Sequence, residues 1–321
     1  MVARSLGEPA SLVYADVPDP APRVGEVVID VRAIGCNFPD ILIVQGKYQK
    51  KPPLPFSPGC EVAGVVRAVG EGVRDLTAGQ RVFAMMSWGA YAERVAVPAT
   101  AVYPLPASLS FEEGAAFGLV YQTSYCALVH RTTLRPRETL LVHAAAGGVG
   151  LAAVQIGRAL GARVLATAGS PEKLEVARAA GAHVLIDYRR HDWVERVKSE
   201  TGGAGADVIY DPVGGDTFDG STKCVAFEGR ILIVGFAGGR IAEVATNRIL
   251  LKNISVVGVH WGLYSERDPA LVRRWMMELL AMVETGALRP VIFKTFPLAR
   301  AADALAAIAS RESYGKVVLV P

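Results

Sequence analysis

The chain has 321 residues, 51% of them hydrophobic, enough for two domains with sizeable cores. Its 34 basic and 31 acidic residues leave a net charge of +3, too small to argue for nucleic acid or a membrane surface as a partner. Four scattered cysteines, Cys36, Cys60, Cys126 and Cys224, argue against a disulfide framework and for a reducing, cytoplasmic setting.

No signal-peptide pattern opens the sequence, and no apolar run reaches membrane-spanning length without charge or glycine breaks. Residues 1 to about 118 read as short strands between Pro and Gly turns, at 26–33, 61–69, 81–84 and 92–97, an antiparallel β-domain. From 119 to 264, strands alternate with helices, which predicts an α/β region with a doubly wound parallel sheet, of the Rossmann kind. Its strands are expected at 140–142, 163–167, 183–186, 207–210, 230–234 and 254–259. Helices at 269–284 and 299–309 and a last strand at 316–320 follow. Residues 265–321 are expected to rejoin the first domain, with the active site in the cleft at the carboxyl ends of the parallel strands.

The stretch Leu140 to Gly150, LLVHAAAGGVG, carries the most chemistry. An apolar run ends in a glycine-rich turn, and Val149, Ala152, Ala153, Ile156 and Leu160 then recur at helical spacing until Gly161. This is the setting of a dinucleotide fingerprint. Gly147 lets the backbone approach a pyrophosphate, Gly148 and Gly150 allow tight turning, and Ala146, Gly147, Gly148 and Val149 border the phosphates at the helix N-terminus. The first glycine of G-x-G-x-x-G is replaced by Ala145.

The next strand ends at Ala168-Gly169-Ser170-Pro171, with no carboxylate to hold a ribose 2′-hydroxyl. Ser170 can donate a hydrogen bond to a 2′-phosphate while capping the following helix, and Lys173 supplies charge. Tyr188 and Arg189, after the third strand, can close over the same phosphate. The combination favours NADPH over NADH.

Further motifs carry a family resemblance. They are Ala33 to Asp40 (AIGCNFPD), Gln45 to Tyr48 (QGKY), Pro58 to Gly64 (PGCEVAG), Gly89 to Glu93 (GAYAE), Asp211 to Gly215 (DPVGG) and Gly315 to Leu319 (GKVVL). With the glycine turn, they resemble the medium-chain dehydrogenase/reductases over essentially the whole chain, in the branch of zinc-free, NADPH-dependent quinone oxidoreductases that includes the lens zeta-crystallins. The resemblance implies a GroES-like catalytic domain around the Rossmann domain. It implies that Ser170, Lys173, Tyr188 and Arg311 serve NADPH and that a homodimer forms, for which edge pairing of the strand 253–258 offers a physical route.

Zinc-dependent members carry Cys where Asn37 stands and His where Cys60 stands, and no cysteine-rich insertion interrupts 81–91 here. Cys36 is one place out of register for a ligand, and Cys60 reads as a small buried filler. No metal site is expected. Without a Lewis acid, acceptors already activated toward hydride, quinones or conjugated enones, are favoured over alcohols.

Tyr48, in its loop after a glycine, is the first candidate catalytic group, with packing of a cleft wall as the alternative. Asn37 serves either a substrate or ribose oxygen or a buried structural role. Asp40 either holds Asn37 or Lys47 or caps a helix. Thr123 matches a family threonine near the nicotinamide. Backbone at Gly235, Phe236 and Val259, with His260 nearby, is expected to meet the nicotinamide amide. Three functions remain open: a quinone reductase, an enoyl-thioester or enone reductase, and a non-enzymatic NADPH-binding protein.

Overall fold

Thirteen strands run in chain order: β1 Glu26–Cys36, β2 Glu61–Val69, β3 Arg81–Met85, β4 Arg94–Pro98, β5 Val102–Pro104, β6 Thr139–Val142, β7 Arg163–Ala168, β8 Val184–Asp187, β9 Ala206–Asp211, β10 Val225–Ile233, β11 Ser255–Gly258, β12 Ile292–Pro297 and β13 Lys316–Val320. The computed structural model describes residues 1–321 and divides them into two units, Met1–Leu119 with Arg289–Pro321, and Val120–Leu288.

The first unit is built on a seven-stranded sheet ordered β12-β13-β1-β2-β3-β5, with β4 also pairing β1. All its pairings are antiparallel except β12 with β13. The long β1 is rich in Val and Ile and buries nearly every residue (Val27, Ile29 and Ile34 among them), because it is covered on both faces. Gly64 lets β2 approach it: a Cβ there would stand 2.1 Å from the Asp30 carbonyl. The C-terminal tail returns to this core. Leu305 on the helix Ala301–Ala309 and Val317 and Leu319 on β13 are fully buried.

The second unit holds six parallel strands ordered β11-β10-β9-β6-β7-β8. Chain order reverses at β6, which has β7 on one side and β9 on the other. That switch point opens a crevice at the carboxyl ends of the strands. The crossovers use helices such as Gly148–Ala159, Pro171–Ala179 and Asp216–Cys224. Leu141, Leu165, Ile186, Ile209 and Ile231 form the sheet's buried interior. Truncating one of these to Ala would cost about 2–5 kcal/mol. The expected α/β class, a Rossmann-type sheet with a mainly antiparallel β-unit, is what the structure shows.

One expected boundary is corrected. Residues 265–288 belong with the parallel sheet, not with the first unit. The helix Pro269–Glu284, capped by Asp268, buries Val272, Trp275, Met276, Leu279, Leu280 and Val283. Its partners lie in the second unit. Gln122 Nε2 donates to the Val272 carbonyl at 3.3 Å, the Tyr125 hydroxyl donates to Glu278, and Trp275 packs 4.9 Å from His130. An amphipathic helix names its buried face but not the partner of that face, so the sequence left this open.

Candidate functional site

The glycine turn leaves β6 at Val142. The His143 N–H donates to the Tyr210 carbonyl, and the Ala145 N–H to the Thr167 carbonyl, both at 3.0 Å. Ala144 takes the left-handed conformation (φ +46°), and Ala145 is fully buried. The tight part of the turn therefore falls on Ala144, so position 145 tolerates a methyl group.

Gly147 sits at the N-cap of the helix Gly148–Ala159, and no side chain caps it. The amides of its first turn, with Ala146, Gly147, Gly148 and Val149 around them, form the kind of terminus that receives an anion. Gly150 has a steric duty instead. A Cβ there would lie 2.3 Å from the Ala144 carbonyl and 2.8 Å from Ala145 Cα.

At the end of β7, Ser170 caps the helix Pro171–Ala179 by accepting the Lys173 N–H at 3.3 Å. Lys173 thus stands in that helix's first turn. Tyr188 and Arg189 come to the same place from β8. A Cβ on Gly169 would stand 2.5 Å from the Tyr188 hydroxyl and 3.2 Å from Arg189 Nε. Gly169 is thus the floor of a small cradle with a hydroxyl and a guanidinium beside it. A nearby carboxylate, Asp187, accepts the Arg189 N–H at 2.9 Å and pairs with Arg190 Nε at 3.4 Å. Ser170, Lys173, Tyr188 and Arg189 suit a dianionic phosphate.

Beneath the turn, His143 is buried between Thr167 Oγ1 (3.0 Å) and Ser221 Oγ (3.1 Å), with Trp193 edge-on. Burial drives its pKa down to about 3, so it is a neutral bridge between β7 and the helix Asp216–Cys224, not a base. Gly235 and Val259 lie at the ends of the adjacent β10 and β11. The Val259 N–H donates to the Ile233 carbonyl at 3.0 Å, and a Cβ on Gly235 would lie 3.2 Å from the Pro212 carbonyl. Phe236 is half-exposed over Gly214. Thr123 is partly buried in the helix Gly118–Tyr125, and His260 is exposed. Beside Thr123, the buried Gln122 accepts the Trp261 indole N–H at 2.7 Å, a fixing contact the sequence did not disclose.

The first unit holds Asn37, Tyr48 and Arg311. Asn37 is buried and spends both ends of its amide internally. Its Oδ1 accepts from Lys316 Nζ at 2.5 Å, and its Nδ2 donates to Glu61 Oε1 at 2.9 Å. Asp40 caps the helix Phe38–Val44 through the Asn37 N–H (2.8 Å) and accepts the Tyr91 hydroxyl (3.0 Å). Burial raises Asp40 to about 7, against the pull of that N–H and of Lys316. Cys60 is only partly buried, and its Sγ touches Asn37 Nδ2 at 3.6 Å, so it belongs to this polar cluster instead of filling the core.

Tyr48 packs partly buried on the same unit's core, and desolvation raises its pKa. Arg311 is exposed just past the helix Ala301–Ala309, with φ +59°. Lys316, Glu61, Asp40 and Tyr91 were not singled out together by sequence. A charged residue heading each of two mainly apolar strands, β2 and β13, was the available signal.

Two family descriptions match the chain, an alcohol dehydrogenase GroES-like domain over residues 23–107 and a zinc-binding dehydrogenase over 148–279. A quinone oxidoreductase-like protein 2 homolog of Nematostella vectensis is 42% identical over 297 residues, 92% of this chain and 81% of its own. The structure of Escherichia coli quinone oxidoreductase complexed with NADPH superposes with a TM-score of 0.92 at 34% identity, covering 100% of this chain and 99% of that one. The CurK enoyl reductase gives 0.89 at 28% identity, covering 99% and 98%. The chain belongs to the medium-chain dehydrogenase/reductase superfamily, in its quinone oxidoreductase branch.

A zinc-binding family name asks whether zinc fits these residues. The Asn37–Glu61 corner is filled by the Lys316 ammonium, which donates to the Cys36 carbonyl and to Glu61 Oε1, both at 2.8 Å. No group of three or more His, Cys, Asp or Glu side chains is arranged to hold a metal ion. The residues present do not fit zinc.

Proposed function

We propose that the chain is an NADPH-dependent reductase that transfers hydride to a quinone or similarly activated acceptor, without zinc. The observation that carries this is the cradle at Gly169. Ser170, Lys173, Tyr188 and Arg189 offer hydroxyls and two cations where an NADH-preferring site would place a carboxylate at the end of β7. The open terminus at Gly147–Val149 takes the pyrophosphate, and Gly235, Phe236 and Val259 receive the nicotinamide end, beside Thr123. When bound, NADPH supplies the hydride from its nicotinamide ring.

Tyr48 serves the acceptor. Its hydroxyl stays protonated through the neutral range and can donate a hydrogen bond to the acceptor oxygen as charge develops there. Asn37 acts from behind, holding the Lys316–Glu61 corner and not touching substrate. Arg311 contributes to NADPH affinity. The protein works in the cytoplasm as a homodimer. The edge position of β11 offers a seam for pairing with a second copy.

The second reading, reduction of an enoyl thioester or enone, draws on the likeness to an enoyl reductase and on a tyrosine at position 48. NADPH oxidation followed with 9,10-phenanthrenequinone, 1,4-benzoquinone and crotonyl-coenzyme A separates the two. Turnover of the quinones alone is expected. Turnover of crotonyl-coenzyme A alone would replace the quinone reading.

A further inference from the structure

Lys316 opens β13 and is only 4% exposed. Its ammonium has three N–H donors, and all are used: on the Cys36 carbonyl (2.8 Å), on Asn37 Oδ1 (2.5 Å) and on Glu61 Oε1 (2.8 Å). Glu61 is equally committed. Its Oε1 also accepts Asn37 Nδ2 at 2.9 Å, and its Oε2 accepts the Leu119 N–H at 2.9 Å. One glycine makes room for it: a Cβ at Gly35 would stand 2.5 Å from Glu61 Oε1. A buried charge survives only when paired and fully hydrogen-bonded, and this one is both.

We infer that this corner of the first unit is a cation site occupied by the chain's own Lys316, built for a primary ammonium and unable to exchange it for a divalent metal. The charge balance says why. One carboxylate, Glu61, faces the ammonium, so the pair is neutral. A divalent ion there would leave an unmatched positive charge in the core. Asp40 is no second ligand, because its Oδ2 is taken by the Asn37 N–H and the Tyr91 hydroxyl and its Oδ1 faces Cys60 Sγ at 3.9 Å. The remaining donors, a carbonyl and an amide oxygen, are poor zinc ligands. Lys316 is accordingly a positioning residue. It fixes Asn37 and Glu61, and through Glu61 the Leu119 amide, at the start of the helix that carries Thr123. This deepens the zinc-free reading above.

The test uses the full-length protein with Lys316→Ala, which removes three methylenes and the ammonium. Thermal midpoints are measured against ammonium, methyl-, ethyl- and n-propylammonium chloride, with tetramethylammonium chloride as the salt control. Zinc is measured after incubation with zinc chloride and dialysis. The variant is expected to melt about 10 °C below wild type. n-Propylammonium restores most of that loss, shorter amines less and tetramethylammonium none, while wild type responds to none of them. Neither protein retains stoichiometric zinc.

An unchanged midpoint in the variant, the absence of rescue by any primary amine, or one zinc per wild-type chain would each overturn the inference. If the Ala variant does not fold, Lys316→Met alone and with Glu61→Gln replaces it. The double variant, having no unpaired charge, should melt above the single one, and a single variant as stable as wild type overturns the proposal. None of these readouts needs turnover. Failure to reduce quinones would sink the reductase reading and leave the cation site standing.

Discussion

Lys173 stands in the first turn of a helix whose cap, Ser170, is committed to the Lys173 N–H, so backbone and side chain of this residue have separate duties. Lys173→Ala leaves that backbone cap in place and removes the ammonium. A charged contact of this kind is worth about 1.5–3 kcal/mol. The Michaelis constant for NADPH should therefore rise roughly 10- to 100-fold, with that for NADH nearly unchanged. Equal effects on both cofactors would remove Lys173 from the 2′-phosphate cradle. At this scale the sequence was informative wherever a residue's use is local. Ser170 before Pro171 announces a cap, and the missing acid after β7 is visible as Ala168-Gly169. It was less informative for Asn37, whose two open alternatives depended on Lys316, 279 positions away.

The strand–turn–helix from Thr139 to Ala159 works as one element, and its glycines divide the labour. A Cβ at Gly150 would overlap the Ala144 carbonyl, whereas one at Gly147 would come no closer than 3.3 Å to any neighbour. Gly150→Ala should lower the melting temperature of the protein and abolish NADPH binding together. Gly147→Ala should fold as well as wild type, by circular dichroism and melting, and lose NADPH affinity in a fluorescence titration. A Gly147→Ala protein with wild-type affinity would show that the pyrophosphate does not approach this turn. The element was readable because an apolar run, a glycine cluster and a helical period follow in order. The helix Pro269–Glu284 was just as readable in its bounds, which Asp268-Pro269 sets at one end. What its apolar face would meet was not, since Trp275 packs on His130 and Val272 on Gln122, residues about 150 positions earlier.

For the molecule as a whole, two buried groups give stability opposing dependences on pH. Asp40, raised to about 7 in the fold, holds a proton that the unfolded chain, with an Asp near 3.8, has lost. Between about pH 4 and 7 the folded state therefore binds more protons, and its stability falls as pH rises. His143, lowered to about 3, does the reverse. The unfolded chain takes up a proton near pH 6.5 that the fold refuses, so stability is lost as pH falls from 6.5 toward 3. Melting temperatures from pH 4 to 8 should show a broad maximum. Asp40→Asn, whose amide oxygen can still accept from the Asn37 N–H and the Tyr91 hydroxyl, should flatten the decline toward neutral pH. His143→Gln should remove the opposing rise, so that the melting temperature falls steadily from about pH 4 to 7. Unchanged profiles would mean that neither group titrates as its burial requires.

Discrimination between NADPH and NADH is the most direct test of the account, because it asks whether the cradle at Gly169 recognises a 2′-phosphate. The measurement is kcat/KM for each cofactor with 9,10-phenanthrenequinone at saturating concentration. A preference for NADPH of at least about tenfold, reduced by Lys173→Ala, is the predicted result. Equal use of both cofactors, or a preference for NADH, would contradict it.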